Sequence, residues 1–417
     1  MIVWPNSKRW PSGWHNYSGA DGQSGEQETN YLRWVHSELQ RILHPIRADV
    51  SDDSQRPPPT TKAQPGKKTA QQVKSEVAKE EAHKPLAVPA DLVDLDSLLK
   101  ELDDLIGLAA VKRDVKELVH FLTMQKQRQQ HGLPVTKISL HAIFSGNPGT
   151  GKTTVARLYG KLLGALGFLK KGHLVETDRG GLVAEYAGQT ATKVNTRFDE
   201  ALDGVLFIDE AYSLVNDGED PYGAEAVQTL LKRMEDQRDR IVVILAGYPE
   251  PMENLLCTNP GLASRFGRTL QFADYTPVEL CRIFQSFCQR DHYALPSKTR
   301  ASLIDGLTWH WKQRNERFGN GRLARNLFEA SLRRLATRLS KIKAMSKALL
   351  STLDANDLAL DDVPEDVKKQ IGKHLYDCMC FSCAKPLRAS GIQLGSEVVC
   401  PGCQKAQNVE WGEQVPT

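Results

Sequence analysis

The sequence predicts an α/β fold in which a parallel sheet wrapped by helices is followed by an all-α subdomain and a small C-terminal ribbon. Three observations predict it. Apolar runs alternate with helical periods from about residue 91 to residue 275, as βαβ units of a parallel sheet do. Past Phe272-Ala273-Asp274-Tyr275-Thr276 the β signal stops, and helical periods fill 277–290, 298–314 and 322–341. Five of the eight cysteines then crowd the last forty residues.

In chain order, residues 1–50 carry Trp4, Trp10, Trp14, Tyr17, Tyr31 and Trp34 among Gly, Ser, Asn and Pro, with a helical period from Glu26 to Leu43. Aromatics on a stretch too short for its own core predict a docking segment, seated on this protein or on a partner. Residues 51–90 turn to Pro, Lys, Gln, Thr and Glu with almost no aromatics, the composition of a disordered linker. An α/β subdomain is expected over 91–275, a helical subdomain over 276–372 and the ribbon over 373–417.

Within the α/β part, Gly146-Asn147-Pro148-Gly149-Thr150-Gly151-Lys152-Thr153 follows the apolar run Ile138 to Phe144 and opens into a helix at Thr154. The pattern G-x-x-x-x-G-K-[ST] between strand and helix is a phosphate-binding loop. Its glycines let backbone N–H groups converge on one anion, and the helix start adds positive partial charge there. Lys152 supplies a point charge for the outer phosphates, and Thr153 a hydroxyl for Mg²⁺.

A loop that holds phosphates need not cleave them. Val205-Leu206-Phe207-Ile208 reads as a central strand buried on both faces, and Asp209-Glu210 emerge at its C-terminal end. Ligands of open α/β sheets bind at that end. Asp209 is expected to hold Mg²⁺ and Glu210 to polarise an attacking water, so the predicted chemistry is ATP hydrolysis. The apolar element Leu105-Ile106-Gly107-Leu108, ahead of the loop, is the place for an adenine ring, with Ile106 and Gly107 against the base. Ordinary core packing also accounts for part of it.

The C-terminal cysteines form Cys380-Phe381-Ser382-Cys383 and Cys400-Pro401-Gly402-Cys403, with sixteen residues between the two pairs. That spacing is a zinc-ribbon pattern, four thiolates closing a structural Zn²⁺ site. Cys378 is an alternative to Cys380, and His374 is expected on a solvated helix end. Cys257, Cys281 and Cys288 are expected as small buried apolar residues. A net charge of +3 is too weak to argue for a nucleic-acid surface. No apolar run is long enough to span a bilayer, and the first residues lack a signal-peptide core, so the expected location is cytoplasmic.

From about Leu102 to about Leu339 the chain resembles the AAA+ ATPases, in the group that holds the red-type rubisco activase (CbbX) and stage V sporulation protein K. The resemblance is carried by the phosphate loop, Asp178-Arg179, Glu185-Tyr186-Ala187-Gly188-Gln189-Thr190, Gly204 to Ser213, Ala246-Gly247-Tyr248-Pro249, Asn259 to Phe266, and Gly319-Asn320-Gly321-Arg322 with Arg325-Asn326. It implies a homo-oligomeric ring, usually a hexamer, with ATP at each subunit boundary and a protein client. It further implies that Arg265, or Arg268 in its place, is an arginine finger reaching a neighbour's nucleotide. Arg322, or Arg325, matches the sensor-2 arginine, and Tyr186 the aromatic of a pore loop, against a buried structural tyrosine. Where many relatives carry a polar sensor-1 residue, this chain has Ala246-Gly247-Tyr248-Pro249. A motor on nucleic acid and an ATP-gated scaffold are the rival readings.

Overall fold

The computed structural model describes residues 94–415 apart from 137, 185, 187 and 216–219. The Trp-rich segment and the linker expected over 1–90 lie outside the described residues, as do Glu185 and Ala187 on either side of Tyr186.

Helices α1 (Leu95–Asp104) and α2 (Ala109–Gln130) come before the sheet. Leu98 and Leu102 of the first, and Val111, Val115, Leu118 and Leu122 of the second, are buried at three- and four-residue spacing. Strands β1 (Ala142–Gly146), β2 (Leu174–Thr177), β3 (Val205–Ile208), β4 (Val242–Gly247) and β5 (Thr269–Phe272) form one sheet in the order β2-β3-β4-β1-β5, every pairing parallel.

Successive strand residues point to opposite faces, and the core divides accordingly. Phe144, Phe207, Ile244 and Leu270 pack with α1, α2 and α3 (Lys152–Ala165). Ile143, Leu206, Ile208 and Val243 pack on the other face with α4 (Thr190–Glu200) and α5 (Pro221–Asp236). Strands β1, β3 and β4 are buried at every position, which is why they read as continuous apolar runs. Edge strand β5 buries only Leu270 and Phe272, and periodicity does not single it out. The first strand also starts later than its apolar run. Neighbours pair with it only from Ala142 and Ile143 onward, and Ile138 is exposed.

Beyond β5 lie α6 (Pro277–Arg290), α7 (Ser297–Lys312) and α8 (Gly321–Leu339). A capping box starts α6: the Glu279 N–H donates to Thr276 Oγ1 at 3.3 Å, and the Thr276 N–H donates to Glu279 Oε2 at 2.8 Å. Phe284 and Phe328 meet edge to face at 5.6 Å between α6 and α8. Helix α7 is buried almost all round from Thr299 to Thr308, because α6 lies on one side and the C-terminal β structure on another.

That β structure has two antiparallel hairpins. β6 (Leu375–Met379) pairs with β7 (Pro386–Ser390), and β8 (Ser396–Val399) with β9 (Ala406–Val409). β10 (Glu413–Gln414) pairs with β6. Tyr376, Leu387, Leu394, Val409 and Trp411 enter the same core as Leu280 of α6 and Leu303 and Leu307 of α7, which with α8 form a lid over the sheet's C-terminal end. Two expectations are corrected here, and the Cys378 alternative falls. Cys257 is exposed, whereas Cys281 and Cys288 are buried. His374 is not on a solvated helix end, since its Nδ1 lies 3.3 Å from the buried Asp305 carboxylate. Cys378 is buried with this core and stands apart from the other four cysteines of the ribbon.

Candidate functional site

The phosphate loop leaves β1 at Gly146 and enters α3 at Lys152. Gly149 and Gly151 take φ of 72° and 92°, a region that residues with a Cβ rarely adopt. Thr150 is fully buried, and its Oγ1 donates to the Asn147 carbonyl at 2.8 Å, which closes the loop on itself. Lys152 Nζ donates to the carbonyls of Gly146 at 2.7 Å and Asn147 at 2.9 Å. Burial pushes its pKa down to about 8, against the pull of Asp209; Arg322 adds to the shift and Glu210 opposes it.

Asp209 and Glu210 follow β3, so their positions are set by a strand buried throughout. The Asp209 N–H donates to the Thr177 carbonyl at 2.8 Å, and the Glu210 N–H to Asp209 Oδ1 at 3.0 Å. Glu210 holds φ 48°, a left-handed conformation uncommon for a side chain of its size. Next to them Tyr248 lines the cleft and packs against Tyr212, ring centroids 5.7 Å apart and planes tilted by 45°. Burial first, then the charges of Glu210, Tyr248 and Asp209, push the Tyr212 phenol up to about 12, so it stays a proton donor.

These groups line one cleft of about 700 Å³ between the sheet and the lid helices. Gly146, Pro148, Gly149, Gly151, Lys152, Thr153 and Thr154 supply its floor, Asp209, Glu210 and Gly247-Tyr248 one wall, and Arg322 and Arg325 the lid side. The far end is apolar, with Leu105, Ile106 and Leu108 facing Tyr275, Ile283 and Phe287. Gly107 is not itself a lining residue. Its φ is 65°, and a Cβ there would meet Tyr275 and the Glu279 carboxylate. Tyr275, Ile283, Ser286 and Phe287 are what sequence reasoning missed; the signal of Ile283 and Phe287 is the apolar face of a helix, which core packing explains equally well, and Ser286 carries none.

The donor set fits its ligands. Converging N–H groups and one ammonium suit a polyphosphate, and a hydroxyl with a carboxylate suits Mg²⁺. Arg265 lies elsewhere. It lines a separate cavity with Leu140, His141, Glu235 and Val242, where Nη1 donates to the Gly261 carbonyl at 3.1 Å and Nη2 lies 3.4 Å from Glu235. Beside it His141 accepts from the Val243 N–H at 2.9 Å and is kept neutral, its pKa pushed down to about 4 by burial and then by Arg265. Arg268 is half-buried and also outside the cleft. Tyr186 is 68 % exposed, so the buried reading of that tyrosine fails.

The four ribbon cysteines converge, their sulfurs all within 4.8 Å of one another. Each knuckle has the same build: the N–H of Cys380 or Cys400 donates to the carbonyl of Lys385 or Lys405, and the N–H of Ala384 or Gln404 returns to the first cysteine's carbonyl. Sulfurs of Cys380 and Cys403 are 3.6 Å apart, those of Cys383 and Cys400 3.7 Å. Four sulfurs at ~2.3 Å from a tetrahedral Zn²⁺ would lie roughly 3.8 Å apart. The geometry fits that ion.

The model of the ATPase family associated with various cellular activities (AAA) matches residues 142–273, and the AAA lid domain matches 276–369. Stage V sporulation protein K of Bacillus subtilis is 42 % identical over 269 residues, covering 64 % of this chain and 84 % of that one. The chloroplastic ribulose bisphosphate carboxylase/oxygenase activase of Cyanidioschyzon merolae is 40 % identical over 268 residues, 63 % of this chain and 91 % of that one. The ESX-1 secretion system protein EccA1 of Mycobacterium tuberculosis is 41 % identical over 275 residues, 62 % of this chain but 47 % of its own.

Proposed function

The chain belongs to the AAA ATPase family, and we propose that it binds Mg-ATP in this cleft, hydrolyses it within a ring of identical copies, and uses the turnover to remodel a protein partner. In this reading Lys152 and the loop amides hold the outer phosphates, and Ile106, Leu108 and Phe287 enclose the base. Thr153 and Asp209 hold Mg²⁺, which offsets phosphate charge when bound. Glu210 orients the attacking water, and Arg322 reports the phosphates to the lid. Arg265 acts on the neighbouring copy's nucleotide, and Tyr186 grips an extended polypeptide through apolar contact. Cys380, Cys383, Cys400 and Cys403 hold one structural Zn²⁺ with no open position.

The observation that carries the ring mechanism is the separation of the charged groups. Lys152, Asp209, Glu210 and Arg322 line one cleft, whereas Arg265 lies outside the cleft of its own chain. In this reading a finger so placed acts on the nucleotide of a second copy. The protein partner rests on the exposed Tyr186 and on relatives whose names include a rubisco activase and a secretion-system protein. The near-neutral charge balance gives nucleic acid little to hold.

Mixed subunits test the reading. Lys152→Ala should abolish ATP binding and turnover. Arg265→Ala should keep binding and lose about 10³–10⁵ in turnover. Mixing the two should restore part of the activity, because each intact cradle then meets an intact finger. Unchanged hydrolysis in Lys152→Ala, or no restoration on mixing, would overturn the shared-site mechanism.

A further inference from the structure

The phosphate loop has a second face, turned away from the cleft floor, and it is bonded to the lid. Asn147 Nδ2 donates to Asp274 Oδ1 at 2.9 Å. The same oxygen accepts from Asn320 Nδ2 at 2.7 Å, while Asp274 Oδ2 lies 3.9 Å from the Arg314 guanidinium. Asn320 also donates to the Phe318 carbonyl at 3.0 Å and, more weakly, to that of Pro148 at 3.4 Å, and its Oδ1 accepts from the Tyr275 N–H at 2.9 Å. One residue on, the Gly321 N–H donates to the Gly149 carbonyl at 3.0 Å.

Asn320 is fully buried and holds φ 48°, ψ −122°, a conformation disfavoured for any residue with a Cβ. A residue persists in such a conformation only when its surroundings over-determine it, and here every polar atom of the amide is used. Arg322, on the cleft, is two residues further along the chain. Contact is also tight in the backbone. A Cβ at Gly149 would lie 2.8 Å from the Arg322 nitrogen, so only glycine lets loop and lid approach this closely.

We infer that Asn147 is not a phosphate ligand but the loop-side end of a relay, Asn147–Asp274–Asn320, that positions Arg322 and carries displacement of the phosphate loop into the lid. The inference deepens the ATPase reading and rests on it. Asn320 and Asp274 touch no substrate; they are positioning residues acting through Arg322. A two-centre acceptor suits the task, since Asp274 Oδ1 can keep one of its two donors while the other moves.

Asn147→Ala is the test, because the side chain is only half-buried and its loss leaves the lid's own bonds in place. We expect the affinity for a fluorescent ATP analogue to stay within about threefold and kcat to fall about tenfold, the split of a lost positioning contact. Hydrogen exchange should show nucleotide-dependent protection over 321–339 in the parent and its loss in the variant. Adding Asn147→Ala to Arg322→Ala should lower kcat no further, as expected of residues acting in series. Asn320→Asp, which keeps the shape but turns an acceptor toward Asp274, should reproduce the phenotype. Parental kcat and lid protection in Asn147→Ala would overturn the relay. So would an equal loss of ATP and ADP affinity at unchanged kcat, which is what a phosphate ligand would give. Failure of the parent protein to bind ATP would instead sink the ATPase reading, and is seen separately.

Discussion

The lid helices have two seams, and their chemistries are opposite. Toward the phosphate loop the seam is polar, made by Asn147, Asp274, Asn320 and the Tyr275 hydroxyl, which donates to the Thr150 carbonyl at 3.2 Å. Toward the ribbon it is apolar, with Leu280, Leu303 and Leu307 sharing one core with Tyr376, Leu387, Leu394 and Trp411. Polar groups in the second seam are sealed inside. Buried Asp305 accepts from the Tyr376 hydroxyl at 2.9 Å and the Gly372 N–H at 3.1 Å, and the Trp411 indole donates to Gln285. Hydrogen bonds can be exchanged with water at small net cost, whereas opening a packed apolar core exposes all of it at once. The difference teaches that lid and ribbon share one apolar core, whereas lid and phosphate loop meet through polar groups. In the relay proposed above, nucleotide acts on the lid through the polar seam.

The sharpest way to break this comparison is to remove the metal. Structural Zn²⁺ contributes on the order of 10–16 kcal/mol to small zinc domains. Metal analysis should return about one Zn²⁺ per chain, and chelation should strip hydrogen-exchange protection from 375–415 and from α7 together, leaving β1, β3 and β4 protected. Loss confined to the ribbon would mean that the two are separate units. Next in size is Trp411→Ala. Deleting a buried indole costs about 3–5 kcal/mol, and Arg300, 5.0 Å from its ring, would lose its packing as well. Urea unfolding should record that loss in the lid transition, and a change below about 1 kcal/mol would show that the seam is not a core.

The smallest expected effect concerns the polar side. Burial pushes the pKa of Lys152 down to about 8, and bound phosphate favours its charged form. Below pH 8 the ammonium is already charged and binding has full strength; above it, binding must take up a proton. ATP affinity should therefore be flat from pH 6.5 to 7.5 and fall about tenfold by pH 9. Titration calorimetry in buffers of different ionisation enthalpy should register the proton uptake. A flat profile to pH 9 would mean that the lysine stays charged in the free protein.

Much of the architecture was legible in the chain. Four of the five strands of the parallel sheet and all three lid helices announce themselves through runs or periods; β5, Thr269–Phe272, does not, with only Leu270 and Phe272 buried. In the cleft, Lys152, Asp209 and Glu210 sit at the ends of strongly patterned elements. Phe287 and Ile283 do not stand out, since their apolar character is equally explained by α6 packing. Cys257 and His374 went astray for a related reason. Burial depends on what covers a helix face, and the partner of His374, Asp305, lies 69 residues away.

The sequence by itself determined whatever is closed within a few residues. Gly149 and Gly151 bend the phosphate loop, four apolar residues bury β3, and each Cys-x-x-Cys turn presents two sulfurs with its own backbone hydrogen bonds. Tertiary structure alone decided that the second face of the phosphate loop meets the lid, through bonds such as Asn320 to the Pro148 carbonyl across 172 residues, and that the ribbon shares the lid's core. The physical reason is that short-range backbone geometry is written in neighbouring residues, whereas a long-range contact exists only once burial has brought distant surfaces together and left a single arrangement that satisfies their polar atoms.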